Sequence, residues 1–371
     1  MRKGIYSAVA SATLLSASSL FAAGADTGGS GTQDYSFILD SGNSVSVSRT
    51  TIDPKITGAY ADGSEITDAF KSFTVTTMDA KWTQGATTLG IRVSRPYGAD
   101  LSYNEGLLTN TAANINSQEV GILASRAISE NVKVFGGVRL NSFWGSYDTP
   151  IVTTGAGTGA GYKYKLEKTN GTGFTIGAAY EIPEIYLRAS VQFNSEITHN
   201  DTKNLESVDG SPDQTALLEM TAPGATIIKL RSAVTDKIVL FANWRSSNWS
   251  KFKISGPIYA ASAGGDIWDP DSGIDYTIGG AMSLSDNLNI LAGMSRSPKD
   301  PDSTDESPLS PYNGSNRTFF GATLKVADNI EVTAAVSNNS LGDTNVILPN
   351  GIAPYTSNSA QVVTIGTKVG F

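Results

Sequence analysis

Segments that alternate apolar and polar residues recur along this 371-residue chain, and the connections between them are alternately short and long. The alternation is clearest near the C-terminus, where Val363, Ile365 and Val369 share one face and Lys368 lies on the opposite face. A period of two predicts β-strands with one apolar side. We count fourteen such segments, centred near Val47, Thr76, Ile91, Ile122, Val138, Ile176, Ala189, Ile228, Leu240, Ile278, Leu291, Thr323, Ala334 and Ile365.

The lengths of the connections indicate how these strands are arranged. Turn-forming residues mark six short connections, at 84–85, 129–131, 183, 235–236, 285–287 and 327–329. Seven long polar segments lie between them, near 54–69, 98–113, 145–161, 198–222, 254–272, 298–316 and 339–358. A closed barrel with an even number of strands and both termini at one end requires this alternation. We therefore predict an all-β fold, a 14-stranded antiparallel transmembrane β-barrel with short periplasmic turns and long extracellular loops.

The basic residues within the strands argue against a soluble β-sandwich or solenoid. Most of them share the face opposite the apolar one, namely Lys133, Arg139, Arg188, Lys229, Arg231, Arg245 and Lys368. In a barrel this face is the lumen, where charge is hydrated or paired. On the lipid side, an arginine near mid-membrane would cost ~2–4 kcal/mol.

The N-terminal residues predict secretion. A basic start at Arg2 and Lys3, a small apolar run and an end near Ala23 are typical of a signal peptide, with cleavage between Ala23 and Ala25. The predicted domains are a signal peptide at 1–23, a shortened N-terminal segment at 24–42 and the barrel at 43–371. The expected location is the outer membrane of a Gram-negative cell.

Composition excludes several kinds of function. The chain has no cysteine, which excludes disulfide frameworks and thiol catalysis. Without the signal peptide, 25 basic and 35 acidic groups leave a net charge of about −10, which argues against nucleic-acid binding. The acidic segment 266–275 lacks the complete calcium-loop pattern, so we predict neither a metal site nor a cofactor.

The C-terminal half of the chain resembles a known family of channels. The stretch from Ala222 to Phe252 contains a strand that begins after proline, a Thr-Asp-Lys turn and a strand that ends in Trp-Ser-Lys-Phe. Agreement continues through Ser285–Asn289, Ser297-Pro298, Arg317–Ala322 and Ala327–Asn329. Upstream, Ile52-Asp53-Pro54 and Arg95–Gly98 fit the same pattern. Together these motifs resemble the FadL-type outer-membrane transporters of long-chain fatty acids and other hydrophobic compounds, over roughly residues 45–371.

The resemblance implies features that this chain alters. Family members carry an N-terminal hatch with an Asn-Pro-Ala motif, which is absent here. Either residues 35–39 form a reduced plug or the lumen is open. The family's basic residue for the fatty-acid head group falls near Gly145, and Arg139 on the same strand could take its place. The family's lateral exit at a kink in the third strand would correspond to Pro96, Tyr97 and Gly98, or Pro96 simply ends that strand.

The candidate ligand-binding residues combine cations with aromatic rings. Lys251 and Lys253 flank Phe252 beside Trp249, a combination that suits an amphipathic carboxylate, or the lysines reach toward the membrane edge. Arg139, Arg188 and Arg245 are lumen candidates that either bind ligand or pair with Glu196 or Glu331.

These features predict a channel, not an enzyme, for passive uptake of hydrophobic molecules, with long-chain fatty acids as the expected substrate. A general diffusion porin for small polar solutes is the first alternative. The second is an outer-membrane lipid-acting hydrolase, which would need His199, expected on an exposed loop, beside a serine. The expected partners are the hydrophobic ligand, outer-membrane lipid and lipopolysaccharide, and the barrel assembly machinery through the C-terminal Phe371. We expect a monomer.

Overall fold

The computed structural model describes residues 32–371 except 68, 151–152, 155–156, 159–160, 209–211, 250, 264–265, 269, 271, 300–305 and 349–350. The predicted signal peptide and residues 24–31 lie outside this range, as does most of the acidic segment 299–306.

Fourteen antiparallel strands close into a barrel, which confirms the predicted fold class. They are β1 (Ser44–Lys55), β2 (Phe73–Gln84), β3 (Thr87–Ser94 and Gly98–Ser102), β4 (Ala112–Ala127), β5 (Val132–Thr149), β6 (Tyr162–Ile182), β7 (Leu187–Asn194 and Ile197–Val208), β8 (Gln214–Ala222 and Gly224–Ala233), β9 (Ile238–Asn248), β10 (Gly273–Ser283), β11 (Leu288–Ser297), β12 (Ser315–Ala327), β13 (Ile330–Leu341) and β14 (Ser359–Gly370). Each predicted strand centre lies in its own strand. Pairing of β1 with β14, from Ser44↔Gly370 to Lys55↔Ser359, closes the sheet.

The two ends of the barrel differ as the connection lengths predict. At one end, called the turn end here, six short turns join strand pairs, and the backbone N–H of Phe371 donates to the carbonyl of Asn43 over 3.3 Å. The opposite end, the loop end, carries the seven long connections. Closure leaves no free sheet edge, so every strand can hydrogen-bond to two neighbours.

The strand faces separate by polarity. Apolar side chains such as Ile122, Ile176, Ile278 and Ile365 are exposed on the outer surface. Arg139, Arg245 and other basic strand residues are buried on the inner face. This is the pattern that a lipid-facing barrel with a polar interior requires.

Three strands are interrupted, and two predicted loops are corrected. β3 breaks between Ser94 and Gly98, β7 between Asn194 and Ile197, and β8 at Pro223. The segments 98–113 and 198–222, expected to be loops, instead contain strand extensions of β3, β4, β7 and β8. Their polar outward residues obscure the apolar alternation on which the prediction depended.

The long connections pack into a cap over the loop end. Short strands at Gly58–Ala59, Glu65–Ile66, Thr344–Leu348 and Gly351–Tyr355 form a small separate sheet. A helix, α1 (Pro257–Ala263), lies in the connection after β9. The largest apolar core of the molecule lies here and includes Tyr60, Tyr103, Trp249, Val346 and Tyr355. Among the described residues, no helix is long and apolar enough to span a membrane.

Candidate functional site

The N-terminal segment 32–42, called the plug here, lies inside the barrel. It contains a single 3₁₀ turn, Ser36–Leu39. Gln192 on β7 accepts from the backbone N–H of Tyr35 over 2.9 Å and donates to the carbonyl of Gln33 over 2.7 Å. Ser125 on β4 donates to the carbonyl of Ile38 over 3.1 Å. Strand side chains thus satisfy the backbone polar groups of a short segment that has no sheet partner.

Ion pairs hold the two carboxylates of the plug. Asp34 pairs with Lys229, and Asp40 pairs with Arg188 over 2.7 Å. Burial alone would raise the pKa of Asp34, but Lys229 and Arg92 outweigh burial and lower that pKa. For Asp40, burial is likewise outweighed by Arg188 and Arg231, and the pKa falls well below its ordinary 3.8. Both carboxylates are therefore charged and bound to the wall at neutral pH.

Two glycines make room for the plug rings. A side chain on Gly121 would place its Cβ 2.7 Å from Tyr35, and one on Gly90 would overlap Ile38. Tyr35, Phe37 and Ile38 pack in this space against inner residues of β4, β5 and β6. The plug thus combines an apolar contact with charged anchors at either side.

Above the plug, five buried rings form a contiguous group that we call the aromatic cluster: Tyr97, Phe143, Trp249, Phe252 and Trp268. Ring centroids lie 5.5 Å apart for Tyr97 and Trp249, 5.7 Å for Phe143 and Phe252, and 5.4 Å for Phe252 and Trp268. Most of the pairs are edge-to-face, which is a preferred aromatic geometry. The five rings are buried and belong to the apolar core of the cap.

The ladder between β2 and β3 is open beside this cluster. Regular pairing ends at Met78↔Val93, and contact resumes where Lys71 N–H donates to the carbonyl of Asp100 over 3.0 Å. Between these points, the described residues form no β2–β3 pairs. The guanidinium of Arg95 lies 5.6 Å from the ring of Phe73 across the opening. We call this opening the β3 gap.

Pro96, Tyr97 and Gly98 lie at the β3 gap. The side-chain hydroxyl of Tyr97 donates to the carbonyl of Pro223 at the β8 break, over 3.1 Å. Gln33 of the plug donates to the same hydroxyl over 2.8 Å. Pro96 interrupts β3 without ending it, because Gly98–Ser102 continues to pair with β4. Tyr97 thus joins the gap, the plug and the opposite wall.

The three candidate arginines all lie in the lumen, and each is paired with a carboxylate. Arg139 contacts Glu119 over 2.9 Å, Arg188 contacts Glu181 as well as Asp40, and Arg245 contacts Asp275 over 3.4 Å. The expected partners Glu196 and Glu331 were wrong. Carboxylates on neighbouring strands and on the plug lie closer to the guanidinium groups.

The lysines and the aromatic residues of the predicted ligand-binding site point in different directions. Trp249 and Phe252 are buried in the aromatic cluster. Lys251 and Lys253 are exposed and pair with Glu196 and Asp266 over 2.8 and 3.1 Å. The structure therefore does not bring these two cations to the rings.

The placement of His199 on an exposed loop was wrong. It lies on β7, fully buried, with its ring 6.4 Å from that of Phe143. Among the described residues, neither ring nitrogen has a hydrogen-bond partner. The hydrogen bond from a serine hydroxyl to the imidazole, which a hydrolase would require, is therefore not formed among them. Its strand continues past the predicted loop boundary with polar outward residues.

Several residues of the site were missed by sequence reasoning. Gln33, Glu119, Phe143 and Trp268 contact one another or the predicted residues across long stretches of chain. Glu119 had one usable signal, since a carboxylate on the inner face of a strand needs a cation. The others carry no local pattern.

Comparison with known proteins supports the architecture. No family model and no curated protein sequence match the chain. Among solved structures, a FadL homologue of Pseudomonas aeruginosa superimposes with a TM-score of 0.70 at 13% identity, over 89% of this chain and 90% of that one. The toluene transporter TodX of Pseudomonas putida gives 0.68 at 13%, over 97% and 98%. The toluene transporter TbuX of Ralstonia pickettii gives 0.62 at 11%, over 89% and 90%.

A closed fourteen-stranded barrel with an internal plug and a packed cap defines the class as a plugged transmembrane β-barrel. Within that class, the fold is the one found in FadL-type channels for hydrophobic compounds. These structural neighbours are transport proteins, not enzymes. At such low identity, the likeness concerns the fold alone.

Proposed function

We propose that this protein is an outer-membrane channel for passive uptake of hydrophobic molecules. The observation that carries the proposal is the buried aromatic cluster, which lies beside the β3 gap and above a plugged lumen. An apolar molecule that enters the cluster meets a plug below it and an opening in the wall beside it. The apolar outer face and the closed barrel support an outer-membrane location.

The proposed route has three parts. The molecule is captured among the long connections, moves into the aromatic cluster and leaves sideways through the β3 gap. Leaving sideways avoids the lumen below, where an apolar molecule would have to break buried ion pairs. Displacement of Arg95 from Phe73 would widen the exit.

The ligand class that fits best is a neutral aromatic or similar hydrophobic compound. A fatty-acid carboxylate needs a cation, and Arg139, Arg188 and Arg245 are each bound to a carboxylate of the protein. Lys251 and Lys253 point away from the rings. Two of the similar structures are toluene transporters, which supports this ligand class. Long-chain fatty acids remain the comparison ligand in the test.

Binding is measured by intrinsic fluorescence of the purified protein in detergent, because Trp249 and Trp268 lie in the cluster. Titration with toluene should quench the fluorescence saturably, and oleate should bind more weakly. Tighter binding of oleate than of toluene would restore the fatty-acid hypothesis. Absence of a saturable change with either ligand would contradict the proposal.

The porin alternative predicts a different electrical behaviour. An open polar lumen conducts salt steadily, whereas a lumen filled by the plug does not. We expect no steady single-channel conductance in planar bilayers at neutral pH. Large steady conductance without ligand binding would instead indicate a diffusion porin.

Three further properties are also proposals. They are a monomeric state, contact of the outer surface with lipopolysaccharide, and recognition of Phe371 by the barrel assembly machinery. The side chain of Phe371 is 72% exposed at the turn end, so it is accessible to a partner.

A further inference from the structure

Two buried polar side chains of the inner wall have hydrogen-bonding atoms without a partner. Asn141 on β5 and His199 on β7 are 2% and 0% exposed. In the part of the chain that the structure describes, neither Oδ1 of Asn141 nor either ring nitrogen of His199 takes part in a hydrogen bond. A buried polar group without a partner is destabilising. Such groups are retained more readily where a ligand completes their hydrogen bonds.

Gly171 of β6 brings these two side chains together. It is the register partner of Asn141, and residues directly opposite in an antiparallel pair have their side chains on the same face, about 5 Å apart. A Cβ atom on Gly171 would lie 3.2 Å from Cε1 of His199. The imidazole of His199 therefore lies over the β6 backbone beside Asn141. The Cε1 atom lies between the two ring nitrogens, so the hydrogen-bonding edge of the ring is the one turned toward this part of the wall.

The orientation of the Asn141 amide is fixed by its neighbour Glu119. The Nδ2 atom of Asn141 donates to Oε2 of Glu119 over 3.2 Å. An ionised carboxylate can only accept, so the amide nitrogen must face Glu119 and Oδ1 must point elsewhere. Glu119 also accepts from Arg139 and from the hydroxyl of Tyr35. Donors of the protein thus occupy Glu119, whereas Oδ1 of Asn141 is an acceptor held in a fixed position.

A hydroxyl group complements this pair of side chains. A neutral imidazole has one N–H donor and one acceptor nitrogen, and Oδ1 of Asn141 is an acceptor. A hydroxyl group can donate to Oδ1 and accept from the imidazole N–H at the same time. A carboxylate cannot donate to Oδ1, and its charge would be repelled by Glu119. A methyl group would leave both side chains without a partner.

Phe143 connects the polar pair to the aromatic cluster. It follows Asn141 by two residues on β5, so the two side chains share the inner face. The ring centroid of Phe143 lies 6.4 Å from that of His199 and 5.7 Å from that of Phe252. A ligand with one aromatic ring that packs against Phe143 can therefore place a substituent beside Asn141 and His199.

We propose that Asn141 and His199 form a hydroxyl-binding subsite at the edge of the aromatic cluster, and that the preferred ligands are neutral aromatic compounds with a hydroxyl group, such as phenols and aromatic alcohols. The hydroxyl donates to Oδ1 of Asn141 and accepts from the ring of His199, while the aromatic ring packs against Phe143. This inference rests on the proposed function and narrows its ligand class. Hydrocarbons bind to the same rings but leave the two polar side chains unpaired.

Two ligands of nearly equal size test the proposal. p-Cresol differs from p-xylene in that a hydroxyl replaces one methyl group. Competition of each compound with radiolabelled toluene for the purified protein in detergent gives its dissociation constant. Selectivity is the dissociation constant for p-xylene divided by that for p-cresol. Comparison of this selectivity between variants cancels the different hydration of the two compounds.

The test variants remove the polar atoms with little change of volume. His199→Phe keeps a ring without nitrogen, and Asn141→Leu is a second variant in case the first does not fold. We expect the selectivity for p-cresol to fall roughly tenfold in either variant, because the hydroxyl is then buried without its full set of partners. His199→Gln keeps a donor and an acceptor and should retain part of the selectivity.

Thr333→Val is the matched control. It removes a buried hydroxyl on the inner face of β13, where the hydroxyl of Thr323 lies 2.7 Å away. We expect this variant to keep the selectivity of the unmodified protein.

The outcomes separate the subsite from the proposed function. Equal selectivity in the unmodified protein, His199→Phe and Asn141→Leu would overturn the subsite and leave the proposed function intact. An equal loss of affinity for both ligands would also overturn it, because the two residues would then only support the structure. If toluene, p-xylene and p-cresol all fail to bind the unmodified protein, the proposed function itself fails.

The chain has a single histidine, which allows a direct measurement of the proposed hydrogen bond. Isotopic nitrogen labelling of histidine in the tag-free protein makes the ring nitrogens of His199 the only imidazole signals in the nitrogen NMR spectrum. p-Cresol should shift the signal of one ring nitrogen strongly, and p-xylene should shift both signals only slightly. Shifts of equal size with the two ligands would contradict the proposal.

Discussion

At the scale of single residues, buried charge in this barrel is compensated by nearby charge of opposite sign. The pair Arg139–Glu119 is fully buried, and Arg139 also donates to the carbonyl of Ser195 over 2.8 Å. The hydroxyl of Tyr35 donates to Glu119, so the plug shares this network. The pair therefore connects the plug to the break in β7.

Removal of one member of this pair should be costly. Glu119→Ala leaves Arg139 buried without its carboxylate, and we expect a loss of ~3–5 kcal/mol in the free energy of unfolding. Urea unfolding of the refolded barrel in lipid vesicles measures this loss. The control is Asp148→Ala, which breaks the exposed pair with Lys163 and should change stability little. Equal effects of the two substitutions would show that the buried network is not stabilising.

The aromatic cluster permits a second residue-level prediction. Trp249→Ala removes a central ring, and the dissociation constant for toluene should rise about tenfold. Trp82→Ala is the control, because this ring is exposed on the outer surface near the turn end. Titration by the remaining tryptophan fluorescence distinguishes the two variants. An unchanged dissociation constant in Trp249→Ala would place the ligand elsewhere.

The sequence predicts whether a side chain faces the lumen or the lipid more reliably than it predicts the ion-pair partner of that side chain. Alternation within a strand correctly places Arg139, Arg188 and Arg245 in the lumen. Their partners Glu119, Asp40 and Asp275 come from other strands or from the plug, and strand register and plug position decide those distances. The burial of His199 could not be predicted, since it depends on the extension of β7 beyond its break.

At the scale of elements, turns and alternation predict the fourteen strands, because each strand needs a lipid-facing apolar row. They do not predict the extensions toward the loop end, where β7 and β8 rise above the apolar belt with polar outward residues. The breaks in β3 and β8 coincide with Pro96 and Pro223, a local signal. The break at Ser195 and Glu196 has no such signal, since it accompanies the packing of Ile197 against Gly171 and Gly173 of β6.

The plug does not pair with any strand as part of the sheet. Its position therefore depends on the ion pairs of Asp34 and Asp40 with the wall. Asp34 and Asp40 have pKa values below their ordinary 3.8 in the folded protein. Their ion pairs therefore hold the plug fully at any pH above 3.8, and this stabilisation is lost as the pH falls through the lowered pKa values. We expect the channel to stay closed to salt from pH 4 to 8 and to conduct only well below pH 4. Bilayer conductance across this range is the measurement.

The same conductance measurement on the Asp40→Asn variant distinguishes loss of the Asp40 charge from unfolding of the barrel by acid. This variant cannot pair with Arg188 and Arg231, so we expect salt conductance already at pH 7. Asp62→Asn, in an exposed turn of the cap, is the control and should stay closed. Conductance below pH 4 in the unmodified protein with a closed Asp40→Asn variant would indicate that other groups hold the plug.

At the scale of the whole molecule, the barrel is closed twice. The plug packs inside the barrel toward the turn end, and the long connections pack over the loop end. In the part of the chain that the structure describes, the plug and the cap both lie across the barrel axis, and the aromatic cluster lies beside the β3 gap. This arrangement supports the proposed sideways transfer of hydrophobic molecules.

Uptake of radiolabelled toluene by Gram-negative host cells tests this account most directly, because lipopolysaccharide is the barrier that such a channel bypasses. Cells that express the protein should take up toluene several times faster than cells with an empty vector, while uptake of a small sugar stays unchanged. Equal toluene uptake in the two cell lines, or faster entry of the sugar alone, would contradict it.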